Sequence, residues 1–233
     1  MASDPQDPTR ERWAQAYREA PELFDAFARA EDPEGLVVRR LLDHAELKGR
    51  TVLEVGAGTG RISRELASHA GLYLAVEPAP GLLAHGLGAD RPAGVQILRA
   101  LGQRLPLGDA SVDVIVAAWV LANLRDEVGD AMAVEFRRVL RPGGEAWLVE
   151  NGAGGDFHAL RGGAALHEDA RVRRLEGLGF PGVEQLMTEL RFPSEEEAAR
   201  VLGYLCGDRV GGLLRAEPRA RLSHAVMLLR LRS

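Results

Sequence analysis

The order in which short apolar runs alternate with amphipathic stretches constrains this chain more than any other feature. "TVLEV" (51–55), "LYLAVE" (72–77), "VDVIVA" (112–117) and "EAWLVE" (145–150) are nearly continuous in apolar residues. Such runs suit strands covered on both faces, as in a parallel sheet between two helix layers. The stretches between them carry apolar residues at helical spacing. The pattern predicts strands at 51–56, 72–77, 94–98, 112–117 and 145–150, and helices at about 60–70, 79–88 and 125–140. This βαβα order implies an α/β protein with a doubly wound, mostly parallel sheet.

The flanks add helices first and strands last. Residues 1–8 are polar, contain two prolines and are expected to fray. Trp13, Tyr17, Leu23, Phe24 and Phe27 then recur at helical spacing, predicting two short helices broken near Pro21. "DPEGLVVRRLLDHAE" reads as a third, with Leu36, Val37, Leu41 and Leu42 on one side. After Asn151 the glycine-rich "GAGGDFHALRGG" is expected to be a mobile loop. A helix near 167–178 and a strand "VEQLMTELRF" follow. Ser194 and Glu197 form a capping box at the start of another helix. "SHAVMLLRLRS" is the last strand, and the late pair is expected as an antiparallel edge of the same sheet. The predicted organisation is a helical cap over 1–35 and a main domain over 36–233, with 151–222 on its substrate side.

The glycines of "TVLEVGAGTGRIS" ask for a ligand. After a strand, Gly56, Gly58 and Gly60 allow a tight turn and close approach to the backbone. A dinucleotide fingerprint would need a glycine where Arg61 stands, and a phosphate-binding Walker loop would need a lysine. Glu77 closes the next strand, beside the glycine loop at the carboxyl edge of a parallel sheet. A carboxylate there accepts two hydroxyl hydrogen bonds from a ribose. Glu54 sits within the first strand and needs a partner, for which a ligand ammonium is one candidate.

Four stretches together carry a resemblance. "VLEVGAGTG", "LAVEPAPGLL", "LGQRLPLGDASVDVIVAAWVLANL" and "FRRVLRPGGEAWLVE" occur in the order of the motifs of class I S-adenosylmethionine-dependent methyltransferases. The chain resembles that family strongly over about 36–150 and loosely in the last strands. The resemblance implies a Rossmann-like seven-stranded sheet with an antiparallel last strand, and S-adenosyl-L-methionine as cofactor. It implies that Gly56, Ala57, Gly58 and Gly60 surround the methionine part, with Glu54 toward its ammonium. Glu77 would hold the ribose, with Pro78 and Leu82 beside it. Gly102 and Gln103 would lie at the adenine, where Leu101 replaces an aspartate common in the family. Ala117, Ala118 and Trp119 would face the cofactor, and Tyr17 or Trp13 would close the site from above.

Methyl transfer then requires an acceptor held in line with the methyl group and shielded from water. A base is needed only if the acceptor must lose a proton. Asn123, Glu150, Asn151 and His158 are the candidates near the carboxyl ends of strands four and five. Plainer roles compete: a helix cap for Asn123, a salt bridge for Glu150, an exposed histidine for His158. Trp147 reads as core. His167 and His224 have no metal-ligand spacing, so no metal is expected. The arginines at 209–221 read as a solvated face.

The expected partner is a small-molecule methyl acceptor. A formal charge of -5 disfavours nucleic acid. Cys206 stands alone, the N-terminal stretch is polar, and no apolar run reaches membrane-spanning length, so a cytoplasmic protein is expected. A non-catalytic S-adenosylmethionine-binding sensor or partner subunit and a nucleic-acid or protein methyltransferase are the alternatives, with a nicotinamide dehydrogenase more distant. The oligomeric state is not legible.

Overall fold

The computed structural model describes residues 8–162 and 168–233. Seven strands form one sheet: β1 (Thr51–Val55), β2 (Leu72–Val76), β3 (Val95–Leu98), β4 (Val112–Ala118), β5 (Leu140–Asn151), β6 (Gly182–Arg191) and β7 (Arg221–Arg232). Their order is β3-β2-β1-β4-β5-β7-β6. The first five run parallel, whereas β7 is antiparallel to both β5 and β6. The sheet is thus the mostly parallel, doubly wound one that the apolar runs predict, with the expected late antiparallel pairing. Chain order reverses between β1 and β4, which opens a crevice at the carboxyl ends of the strands.

The helices are α1 (Pro8–Glu19), α2 (Pro21–Ala30), α3 (Leu36–His44), α4 (Arg61–Leu66), α5 (Pro80–His85), α6 (Asp126–Val139), α7 (Gly155–Arg161), α8 (Glu168–Gly177), α9 (Glu195–Cys206) and α10 (Asp208–Ala216). Strand alternation divides the core between the two faces. Val114 and Val116 pack with Val52, Trp147 and the α3 residues Val37 and Leu41. Ile115 and Ala117 point the other way, onto Met132 and Phe136 of α6 and Leu175 of α8. A third cluster joins Leu23 and Phe27 of α2 to Phe157, Leu160, Leu202 and Leu205. The N-terminal helices therefore share their core with the segments after β5.

Several local expectations change. The glycine-rich stretch after Asn151 is not a loop: it contains α7, because Phe157 and Leu160, one turn apart, bury against α2 and α9. Unpredicted α10 packs on α9 where Gly203 and Gly211 meet, each without room for a Cβ. The capping box is half formed: Glu197 N donates to Ser194 Oγ at 3.1 Å, but the Glu197 carboxylate turns to Arg200. β5 starts at Leu140, so the Pro-Gly-Gly turn lies inside it, with Gly143 at φ +79°. The expected fraying of the first residues and the position of His167 lie outside the described residues.

Between α2 and α3 the chain is tied to the sheet edge. Asp32, at φ +50°, accepts from Leu36 N (2.9 Å), Val37 N (2.8 Å) and Thr188 Oγ1 (2.8 Å). Its own N–H donates to Glu189 O at 3.0 Å, and Glu31 pairs with Leu190 as an antiparallel bridge. The first free N–H groups of α3 are thus capped by a side chain anchored on β6.

Candidate active site

The glycine loop leaves β1 tied to the end of β2. Gly56 N and Ala57 N donate to Val76 O at 2.8 and 3.0 Å. Gly56, Gly58 and Gly60 have φ of +77°, +57° and +87°, a region that L side chains rarely adopt. A Cβ on Gly56 would lie 2.4 Å from Val120 Cγ2, and one on Gly60 2.3 Å from Leu87 Cδ2. One on Gly58 would meet Phe24 Cε1 at 3.1 Å.

Glu77 is 5% exposed at the end of β2. Its Oε2 accepts from Gly58 N at 2.9 Å and its Oε1 from Ala79 N at 2.8 Å. Burial pushes its carboxyl up, and the two amides pull it back. Beside it, Pro78 is exposed and Leu82 is buried. Glu54 finds its partners within the chain: Oε2 accepts from Tyr73 Oη at 2.9 Å and from the Ser63 hydroxyl. Burial pushes its carboxyl up to about 7. Gly102 packs so tightly that a Cβ would stand 2.4 Å from Met132 Cε and 2.8 Å from Val55 Cγ1. Gln103 is half-buried, and Leu101 is 51% exposed.

This donor set fits S-adenosylmethionine: an acid with one amide on each oxygen, each oxygen retaining a lone pair, and a loop whose faces lack Cβ atoms. The cap covers it. Phe24 stands on Gly58, and Tyr17 packs edge-on against Phe24 with centroids 5.0 Å apart. Trp13 joins the cluster against Tyr17 and Phe27. Burial, together with nearby Glu77 and Glu31, pushes the Tyr17 hydroxyl well above its ordinary range.

The other half of the site lies at the ends of β4, β5 and β7. Ala118 is followed by Trp119, whose φ is +57° and whose N–H donates to Val149 O at 2.6 Å. A positive φ on a bulky residue is costly and concentrates at functional positions. The Arg61 guanidinium sits 4.9 Å from the Trp119 ring and 3.7 Å from the Glu31 carboxylate. His224 stacks beside Trp119, centroids 6.3 Å apart, and meets Phe157 edge-on at 5.1 Å. Its Nε2 lies 2.9 Å from Asn151 Oδ1, which assigns the proton to Nε2, and its Nδ1 has no partner. Burial, reinforced by Arg161 and Arg61, pushes the imidazole down to about 3.

Of the four catalytic candidates, Asn151 pairs with His224, and the other three do not converge on one point. Glu150 is fully buried, its Oε1 accepting from Ala122 N at 3.0 Å and its Oε2 without partner. Asn123 is exposed, and its Nδ2 donates to Trp119 O at 2.9 Å. These two brace the turn that carries Trp119. His158 lies on α7 with Nδ1 2.5 Å from Glu168 Oε2; Glu168 also pairs with Arg161. Sequence reasoning gave Phe24, Arg61 and His224 no part in the site. Phe24 entered as one residue of a helical repeat, Arg61 as a broken fingerprint, and His224 as a histidine without metal-ligand spacing. Among the described residues no three His, Cys, Asp or Glu side chains are grouped to hold a metal ion, and no helix is long and apolar enough to cross a membrane.

Comparison with known proteins bears on the family and the fold. The family described as "Methyltransferase domain" matches residues 53–148. An uncharacterized methyltransferase of Mycobacterium sp. strain JLS is 40% identical over 102 residues, spanning 43% of this chain and 38% of that protein. Phosphoethanolamine N-methyltransferase 1 of Triticum aestivum is 31% identical over 107 residues, 44% of this chain and 22% of that one. The chain thus spans well under half of the curated relatives it matches. The fold is similar to the N-methyltransferase NodS of Bradyrhizobium japonicum, solved with S-adenosyl-L-homocysteine (TM-score 0.57, 15% identity, 99% of each chain covered). It is also similar to a SAM-dependent methyltransferase of Aquifex aeolicus (TM-score 0.52, 15% identity, 96% of this chain and 93% of that one).

Proposed function

We propose, on the match of residues 53–148 to the family described as "Methyltransferase domain", that the protein is a class I S-adenosylmethionine-dependent methyltransferase that transfers a methyl group to a small-molecule acceptor. The observation that carries the reading is the pairing of Glu77 with the Gly58 amide, which sets a buried acid against the glycine loop, where it would hold a ribose. When bound, the cofactor supplies a methyl group already activated by its sulfonium. The chain's part is to bind, orient and exclude water. Gly56, Ala57, Gly58 and Gly60 would frame the methionine part, Glu77 the ribose with Pro78 and Leu82 alongside, and Gly102 and Gln103 the adenine. Trp13, Tyr17 and Phe24 would shield these groups from solvent. The cap (1–35) and the segments of 151–222 would enclose the acceptor next to Trp119.

A small acceptor suits an edge walled by α2, α7 and α9, whose apolar side chains meet in one cluster. The formal charge of -5 speaks against a nucleic-acid substrate. A lone cysteine, Cys206, suits a reducing compartment, and we assign the protein to the cytoplasm. Calorimetric titration with S-adenosylmethionine, wild type beside Glu77→Ala, tests the reading. Binding by wild type with a roughly tenfold to hundredfold loss in the variant supports it. No binding at millimolar ligand reduces it to a statement about fold.

A further inference from the structure

Arg61, which lies over the Trp119 ring, also faces a carboxylate that belongs to the cap. Arg61 comes from α4 and Arg161 from α7, and both act electrostatically on Glu31. Glu31 is 6% exposed, yet it stands 3.7 Å from Arg61, beyond the roughly 2.7–2.9 Å of a charge-assisted hydrogen bond. A buried pair so loosely set does not recover the cost of leaving water.

Two buried atoms at the same place lack partners: the Trp119 Nε1 donor and the His224 Nδ1 acceptor. Native interiors leave few such atoms, and each one calls for an explanation. Here they belong to neighbouring stacked rings, with Phe157 edge-on to the second. A donor, an acceptor, a guanidinium and aromatic surfaces together suit a flat ligand bearing one oxyanion and one hydrogen-bonding group.

We propose, resting on the methyltransferase reading, that Arg61, Trp119, Phe157 and His224 form the acceptor site for a small aromatic carboxylic acid, whose carboxylate replaces that of Glu31 against Arg61. Glu31 is the resident stand-in for the acceptor's own charge. A carboxylate is favoured over a phosphate ester because Glu54 and Glu65 also act on Arg61, so a dianion would be repelled.

Benzoate is the probe, with benzamide as its uncharged analogue and phenyl phosphate as the dianion. Each is titrated into the protein saturated with S-adenosylhomocysteine, following the Trp119 indole N–H resonance by NMR, assigned by its loss in Trp119→Phe. Benzoate is expected to move the resonance saturably and benzamide about tenfold more weakly. Arg61→Gln is expected to weaken benzoate about tenfold. Glu31→Gln, which leaves Arg61 in place but removes the competing charge, should tighten it several-fold. Equal binding of benzamide, tighter binding of phenyl phosphate, or no gain in Glu31→Gln overturns the assignment. S-adenosylhomocysteine binding, measured separately by calorimetry, separates the two readings: if it binds and the benzoate pattern is absent, only the acceptor site is wrong. If it does not bind, the cofactor reading fails and the acceptor site with it.

Discussion

Glu77 and Gly58 are joined by a 2.9 Å hydrogen bond from the Gly58 amide to the Glu77 carboxylate, linking the loop after β1 to the carboxyl end of β2. The other carboxylate oxygen holds Ala79 N at 2.8 Å. One side chain therefore shapes the glycine loop and the entry to α5, while each oxygen keeps a lone pair for a ligand hydroxyl.

Glu77→Gln separates these two tasks. Gln retains one acceptor oxygen but turns an NH₂ toward a second amide, leaving a buried donor unsatisfied. The expected cost is about 1–3 kcal/mol, seen as a drop of roughly 2–12 °C in thermal denaturation. An unchanged Tm would show that the loop does not depend on this carboxylate.

Gly56 is expected to tolerate no side chain while Val120 is present. Gly56→Ala combines a positive φ with a 2.4 Å approach to Val120 Cγ2. Together these cost about 2–4 kcal/mol. Val120→Ala removes the clash but not the backbone strain, so the double variant should be more stable than the two single losses predict. Chemical denaturation of all four proteins measures the coupling; simple additivity would place Val120 elsewhere.

Glu150 gives the stability a pH slope. Burial raises its carboxyl from an ordinary 4.5 to about 8. Below the lower value both states are protonated; between the two only the folded state keeps the proton, so stability falls as pH rises, and above about 8 the loss is complete. Glu150→Gln keeps an acceptor for Ala122 N and does not titrate. Relative to wild type, it should gain on the order of 2–4 kcal/mol between pH 5 and pH 8. A constant difference across that range would contradict the burial of an ionisable group.

His224 runs in the opposite sense. Its imidazole, held down to about 3, stays neutral in the folded chain while the unfolded chain takes up a proton near 6.5. The stability it contributes is complete above that value and declines as pH falls toward 3. Its ring resonances should remain fixed from pH 8 to pH 5 in an NMR titration. Movement with a midpoint near 6.5 would mean that water reaches Nδ1.

The sheet was legible because both-face burial leaves unbroken apolar runs, and the pairing of the glycine loop with Glu77 because Gly56, Gly58 and Glu77 sit at fixed places relative to those runs. Helix α7 was hidden because five glycines in the twelve residues 152–163 read as a loop, while Phe157 and Leu160 owe their helix to neighbours distant in sequence. Arg61 and His224 were hidden for a related reason. Arg61 acts across the crevice on a cap residue, and His224 lies on the one strand whose neighbours are antiparallel. Which groups meet at the ends of β4 and β7 is a fact of tertiary registry that local spacing does not carry.

The ladder between Glu31–Asp32 and Leu190–Glu189 has a mechanical consequence. A segment that is hydrogen-bonded to β6 and packed under α9 cannot swing out as a hinged flap without first unzipping the edge of the sheet. Entry to the glycine loop therefore falls to α1 and to rotation of the Phe24 ring, at the start of α2, over Gly58. Ligand access and the anchoring of the sheet edge are thus assigned to separate stretches of the N-terminal segment.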